Sequence, residues 1–402
     1  MSNSKLAGQS TWEVFLIFLR LGLTSFGGPV AHLGYFHNEF VTRRKWISES
    51  SYADLVALCQ FLPGPASSQV GSAIGLSRAG YMGALAAWTG FTLPSAILLI
   101  LFASGLTHFG GTLSAGALHG LKVVAVAVVA QAVWGMARQL CTDAARVTIM
   151  VAAACLALWL PFAWSQLGII ILAALFGLFI FTPTPIKATS DRLPIPISAR
   201  MGVAWLMLFL ALLSGLPLLA GLFPGTALSM VDVFYRAGSL VFGGGHVVLP
   251  LLQAEVIPAG WLSNDIFLAG YGAAQAVPGP LFTFAAFIGA SMSVGPSGVI
   301  GGALCLLAIF IPSFLLVAGA LPFWELIRHN ARMRGAIFGI NAAVVGLLLA
   351  ALYKPVWTST IQTPQDFGFA LVALLALIYW KFPPWLVVVC CGMAGGILHV
   401  WF

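Results

Sequence analysis

Two Pro-Gly-Pro triplets, Pro63-Gly64-Pro65 and Pro278-Gly279-Pro280, stand inside otherwise apolar sequence. Proline lacks the backbone N–H, clashes with the turn before it, and pushes the preceding residue out of helical backbone. Neither triplet fits inside a regular helix. Of the 402 residues, 60% are hydrophobic and 7% are charged, against roughly 25% charged in a soluble domain. The apolar runs extend end to end, so the chain is read as an all-α polytopic membrane protein; at about 20 residues per crossing there is room for roughly 12–13 transmembrane segments. In lipid, a broken helix exposes N–H and C=O groups that only neighbours, a cavity or a ligand satisfy. A break repeated once in each half of such a chain is the pattern of a transporter's binding centre.

The repeat extends well beyond the triplets. A shift of 216 residues places Phe18 on Phe234, Arg20 on Arg236, Gly22 on Gly238, Phe26-Gly27-Gly28 on Phe242-Gly243-Gly244, and Glu39 on Glu255. A shift of 215 then places Trp46 on Trp261, Gln60 on Gln275 and one triplet on the other; at 218, Pro94-Ser95 meets Pro312-Ser313. Near-constant offsets mark a duplication. The expected organisation is an N-terminal repeat over 10–182, a basic connector plus an extra crossing over 183–225, and a C-terminal repeat over 226–402. Apolar segments are expected at 81–107, 113–137, 146–161, 165–181 and 201–223.

Charge bias suggests how the halves are oriented. The loop with Arg43, Arg44 and Lys45 has a counterpart with Glu255 and Asp265 and no base; further on, 106–119 carries no Lys or Arg while 322–334 has Arg328, Arg332 and Arg334. Opposite bias in equivalent loops predicts an inverted-topology repeat, with the crossing at 201–223 as the odd one that inverts it. The N-terminus shows no cleavable-signal pattern.

The candidate site follows from four breaks, Gly27-Gly28, Gly64, Gly243-Gly244 and Gly279. A half-helix N-terminus offers free N–H groups and partial positive charge to an anion. Ser67, Ser68 and Thr283 follow the triplets, and Gln60 and Gln275 precede them. Arg20 and Arg236 are matched charges in apolar surroundings, fit to compensate an oxyanion; the competing reading has them snorkel or pair with Glu13 and Asp232. Glu39, Glu255 and the unmatched Asp54 are carboxylates able to couple protonation to loading, or plain interfacial acids. His32, His37 and His246 lie near the first breaks. The six cysteines lack metal-ligand spacing and read as small apolar residues. Neither a metal nor a cofactor is expected. The charge of +7 is assigned to loops and not to nucleic acid. No P-loop, HExxH or GxSxG motif is present, so a secondary transporter is read ahead of an enzyme.

Phe26-Gly27-Gly28-Pro29, Gln60 to Pro65, Phe242-Gly243-Gly244-Gly245-His246 and Gln275 to Pro280 together resemble the chromate ion transporter family in its long, two-domain form, over essentially the whole chain. The resemblance implies a multi-pass protein of the bacterial inner membrane that exports chromate and confers resistance, with sulfate as competitor. A sulfate or other oxyanion transporter on the same scaffold is the alternative. A homodimer is compatible with this reading.

Overall fold

A computed structural model of the chain describes residues 10–109, 115–160, 163–181, 197–223, 225–324 and 330–401. The polar stretch with Lys187, Asp191 and Arg192, and Arg328, lie outside the described residues. Among the described residues all regular structure is helical. Five helices among the described residues are long and apolar enough to cross a membrane.

Each half opens on a helix that stops short. α1 (Thr11–Thr24) ends at Ser25, the chain turns through Gly27 at φ +102°, and α2 (Gly28–Phe36) resumes with Pro29 in its first turn. An N-terminal proline loses no helical hydrogen bond there. The opening apolar stretch is therefore two helices. In the second half α9 (Thr226–Leu240) ends at Val241, the chain passes Gly243 and Gly244 at φ +75° and +150°, and a short 3-10 turn leads into α10 (Val248–Val256).

The triplets follow the same plan. α3 (Glu49–Phe61) and α11 (Asn264–Ala274) run into them, capped at their starts by the hydroxyls of Ser48 and Ser263. Gly64 and Gly279 take φ of +116° and +103°, which glycine adopts at little steric cost. Beyond the second triplet a 3-10 turn, Leu281–Thr283, continues as α12 (Phe284–Ser291). α11 has 11 residues. At 1.5 Å per residue it rises about 16 Å, half of a hydrocarbon core roughly 30 Å thick. The triplet thus joins two half-length helices.

The segment Ala66–Phe109 (α4) is two helical stretches joined at a kink, with non-helical backbone at Ala79 and Gly80. A straight helix would hold Gly75 and Gly83 about 12 Å apart. Here the carbonyl of each occupies the space of the other's absent Cβ, so the helix is folded over on itself. In the second half α12 and α13 (Gly298–Ala320) make the same contact through Gly289 and Gly301.

The remaining long helices among the described residues are α5 (Ala115–Leu140), α6 (Ala144–Trp159), α7 (Ala163–Ile180), α8 (Ala199–Leu222), α14 (Ala331–Ala351), α15 (Pro364–Ile378) and α16 (Pro384–Trp401). They sort into two packed bodies, and each body takes helices from both halves. In the first, α1 lies on α4 and α9 on α13, with α4 touching α12 and α13, and α8 packed on α9 and α13. The crossings are close: a Cβ on Gly22 would strike the Gly90 and Phe91 carbonyls, and one on Gly238 the Ile309 carbonyl. In the second body α5 packs against α15 and α16, while α14 packs against α6 and α7. Small residues at such seams let helix backbones approach, which is how helices associate in a medium as apolar as their own side chains.

Candidate functional site

The four breaks meet where the two bodies adjoin. The Gly64 N–H donates to the Val241 carbonyl at 2.7 Å, and the Gly279 N–H donates to the Ser25 carbonyl at 2.9 Å. Each triplet is thereby tied to the residue at which α9 or α1 ends in the other half. The surroundings match too: a Cβ on Gly64 would meet Ser313 Oγ at 2.6 Å, and one on Gly279 would meet Ser95 Oγ at 2.9 Å. Side chains are excluded at both tips, and buried backbone donors that no helix satisfies find acceptors across the repeat.

Beside this crossing lies a cavity of about 320 Å³. The breaks contribute Gly27, Gly28, Gly243, Gly244, Gly245, His246, Gln275 and Gly279, and α5 contributes the opposite wall through Gln131, Gly135, Met136 and Gln139. No charged side chain among the described residues lines it. His246 Nδ1 lies 2.7 Å from the hydroxyl of Tyr271, which is fully buried. The Gln275 side-chain nitrogen is buried without a hydrogen-bond partner, as is Asn341 Oδ1, 3.6 Å from where a Cβ on Gly243 would sit. Gln131 donates to the Leu377 carbonyl at 3.4 Å. The cavity therefore offers three glutamine amides and one imidazole, a neutral set that both donates and accepts.

Seven of the residues singled out from sequence line the cavity: Gly27, Gly28, Gly243, Gly244, His246, Gln275 and Gly279. Gly64 is buried at the crossing behind it. Ser67 and Ser68 are buried at the start of α4, with Ser67 3.4 Å from His32 Nδ1 and Ser68 Oγ unpartnered. Thr283 turns back to the Pro280 carbonyl at 2.8 Å and caps the triplet. Gln60 is exposed.

The structure does not bring the arginines to the cavity. Arg20 is exposed on α1. Arg236 is held by Asp232 at 2.9 Å and by Glu255 at 2.7 Å, in a partly buried cluster. The pairing with Asp232 is the competing reading of the sequence. Glu39, the match of Glu255, bonds instead to Arg43 and Arg44, at 3.1 and 2.6 Å, and Arg44 also reaches Glu13 at 3.6 Å. Asp54 is half-buried on α3, and His37 pairs with Glu49.

Sequence reasoning missed the α5 wall. The signal was there: Gln131, Gly135 and Gln139 recur every four residues on one stripe of a helix whose other positions are mostly apolar. α5 has no break and its glutamines have no partner motif in the second half, so attention to symmetric pairs passed over it.

The sequence model of the chromate transporter family matches residues 12–178 and 228–396. The chain is similar to a probable chromate transport protein of Synechococcus elongatus, 27% identical over 94% of this chain and 93% of that one. It is similar to a chromate transport protein of Pseudomonas aeruginosa, 28% identical over 96% of this chain and 92% of that one. An uncharacterized transporter of Bacillus subtilis, YwrA, is 27% identical over 41% of this chain and 93% of its own length. No solved structure matches the chain.

Proposed function

The chain belongs to the chromate transporter family, a family of transporters and not of enzymes, and on that premise we propose that it exports chromate across the cell membrane by alternating access around the cavity at the four breaks. The observation that carries this reading is the convergence of Gly27-Gly28, Gly243-Gly244, Gln275 and Gly279 on one cavity. Irregular backbone in a membrane protein is tolerated where it is buried in protein or lines a cavity, and free N–H groups at helix starts suit an oxyanion. Export gives chromate resistance. For an anion leaving a cell that is negative inside, the potential favours export by about 2.3 kcal/mol per charge per 100 mV.

The repeat is read as inverted in topology, and alternating access as a movement of one packed body against the other. A sequence half is a poor candidate for the moving unit. Sliding 10–182 as a block against 226–402 would break the Gly64–Val241 and Gly279–Ser25 bonds together. Moving the body that carries the breaks against the α5 wall leaves both bonds intact and opens the cavity between them.

Two measurements test this reading. Everted membrane vesicles containing the protein are expected to accumulate chromate above vesicles without it; equal accumulation removes the export assignment. Thr42→Cys and Ala259→Cys, both at exposed positions in equivalent connecting segments, are expected to react with an impermeant maleimide from opposite faces of the membrane. Labelling from the same face removes the inverted topology and leaves the cavity in place.

A further inference from the structure

Resting on the chromate reading above, we propose that Tyr271 is a positioning residue for oxyanion transport. Its hydroxyl holds His246 as a neutral imidazole with the proton on Nε2, so that the ring donates to the oxyanion from the cavity wall. The repeat isolates this pair. Two copies of one position border the cavity, Val30 in the first half and His246, 216 residues on, in the second. The copy of Tyr271 on α3 is Val56, 215 residues before it. One half thus carries two valines where the other carries a histidine and a tyrosine, and the fold sets the polar two in contact, His246 Nδ1 lying 2.7 Å from the Tyr271 hydroxyl.

Tyr271 is fully buried, its ring stands edge-on to Phe284 at 5.6 Å, and the next residue, Gly272, is where α11 closes on α5. The hydroxyl is therefore fixed in place. A buried hydroxyl needs an acceptor, and the one it meets among the described residues is His246 Nδ1. A ring nitrogen that accepts carries no proton, so the proton of the neutral ring sits on Nε2, the nitrogen left for the cavity. An imidazole free to exchange its proton offers an oxyanion a donor in one form and a lone pair in the other. Chromate and sulfate dianions carry acceptors only, so the second form repels them, and the tyrosine removes that form. A second proton on the ring would make Nδ1 a donor and strand the buried hydroxyl, which costs a hydrogen bond. The charged residues of the elements around the ring stand apart from it. Asp265 lies six residues before Tyr271 on α11 and is paired with Lys122 of α5. Arg334 and Arg332 lie seven and nine residues before Asn341 on α14, and Arg138 of α5 is exposed.

The test uses full-length protein labelled with nitrogen-15 at histidine, in vesicles, with His246 assigned by difference from His246→Gln. Solid-state spectra of the parent are expected to show His246 with a bare Nδ1 and a protonated Nε2 from about pH 6 to about pH 8, the range in which a free histidine titrates. In Tyr271→Phe the two tautomers are expected to mix and the ring to take a second proton toward pH 6. A protonated Nδ1 in the parent, or a His246 signal unmoved by Tyr271→Phe, overturns the positioning role. Chromate uptake by the same vesicles at pH 8 supplies the second readout. Tyr271→Phe is expected to raise the KM about fivefold, the worth of one hydrogen bond, and His246→Leu about tenfold or more. The double variant is expected to match His246→Leu alone, because residues acting as one unit are not additive. Additive losses mean that Tyr271 acts through packing, and overturn the proposal. His246→Gln, whose amide nitrogen can stand in for Nε2, is expected to recover most of the loss; a loss equal to that of His246→Leu overturns the donor role. Absence of chromate uptake by the parent overturns the transport reading, whereas the nitrogen spectra decide the tautomer without it.

Discussion

α3 and α11 are matched in sequence and unmatched in surroundings. α11 is buried from Phe267 to Ala274 and lies against α5, where Gly272 lets the two helices close until a Cβ would strike the Leu121 carbonyl. Lys122 on α5 reaches Asp265 at the start of α11 at 3.0 Å. α3 packs chiefly on α4, with Ala53 and Gln60 exposed, and the position matching Asp265 is Ser50. Gln275 faces the cavity and Gln60 does not. Duplicated sequence sets equivalent parts, and in this structure the α11 copy is the one engaged by α5. If the two bodies move as proposed, the other state releases α11 from α5 and brings α3 toward α14.

The largest effect is expected from freezing that difference. With the exposed Cys390 and half-buried Cys155 replaced, Lys122→Cys together with Asp265→Cys, joined by a short bifunctional thiol reagent, is expected to stop chromate uptake completely. Each single variant treated alike is expected to retain it. Uptake that continues in the cross-linked protein means that α11 and α5 do not separate during transport.

Next in size are the tips, where the halves are expected to respond alike. Gly64→Val and Gly279→Val each demand a side chain at positive φ against Ser313 or Ser95, with the reciprocal bonds at stake. Both are expected to lose uptake and most folded protein. Gly28→Ala, at φ +77° with nothing within 4 Å of the new methyl, is expected to cost about 1–2 kcal/mol and to fold. Thermal melting of the purified protein in detergent separates the two classes. A mild Gly279→Val would mean that the crossing of the tips is dispensable.

The matched arginines come third, and here the halves are expected to differ. Arg236→Gln strands Asp232, 8% exposed, and Glu255, 24% exposed. Removing one partner of a buried pair costs about 3–5 kcal/mol, and the partial exposure of Glu255 argues for the low end. Arg20→Gln changes an exposed residue, where substitutions usually stay within about 0.5 kcal/mol. Equal loss of melting temperature in the two would contradict the ion-pair cluster. Restored stability in Arg236→Gln with Asp232→Asn and Glu255→Gln would support it.

These contrasts mark how far the sequence reads. Proline and positive-φ glycine act locally, so all four breaks were legible, and near-constant offsets exposed the repeat. Composition alone made the chain helical and membrane-bound. The arginines were legible as charge in apolar sequence, but that does not say whether the residue is buried, as Arg236 partly is and Arg20 is not, or whether its partner is a ligand or Asp232. The α5 wall was hidden because a cavity is made by two surfaces that meet only after folding, and Gln131 is an ordinary polar residue until the fold sets it on a cavity wall with the breaks. The break in α4 was half legible: a new apolar segment is expected from 81, next to Gly80, but not how tightly it folds over. Ala79-Gly80 is a weak break by sequence, and its consequence rests on Gly75 and Gly83 touching.

The smallest expected effect concerns the other matched pair. Glu39 lies in the π-helical turn His37–Arg43, outside the long apolar helices. Burial alone would raise its carboxyl, but the hydrogen bonds from Arg44 and Arg43 outweigh it and hold the group below the usual carboxylate range. A group whose pKa is lower in the folded state binds protons more readily when unfolded. Its contribution is therefore complete above the unfolded carboxylate value and is lost as pH falls through the folded one. Glu39→Gln is expected to lower stability by about 1 kcal/mol or less at neutral pH, because Arg43 is exposed and the pair is screened. In strong acid the variant and the parent are expected to melt together. A deficit that persists there would mean that Glu39 acts through packing around Phe40 and Trp46, which stack at 5.1 Å, and not through charge.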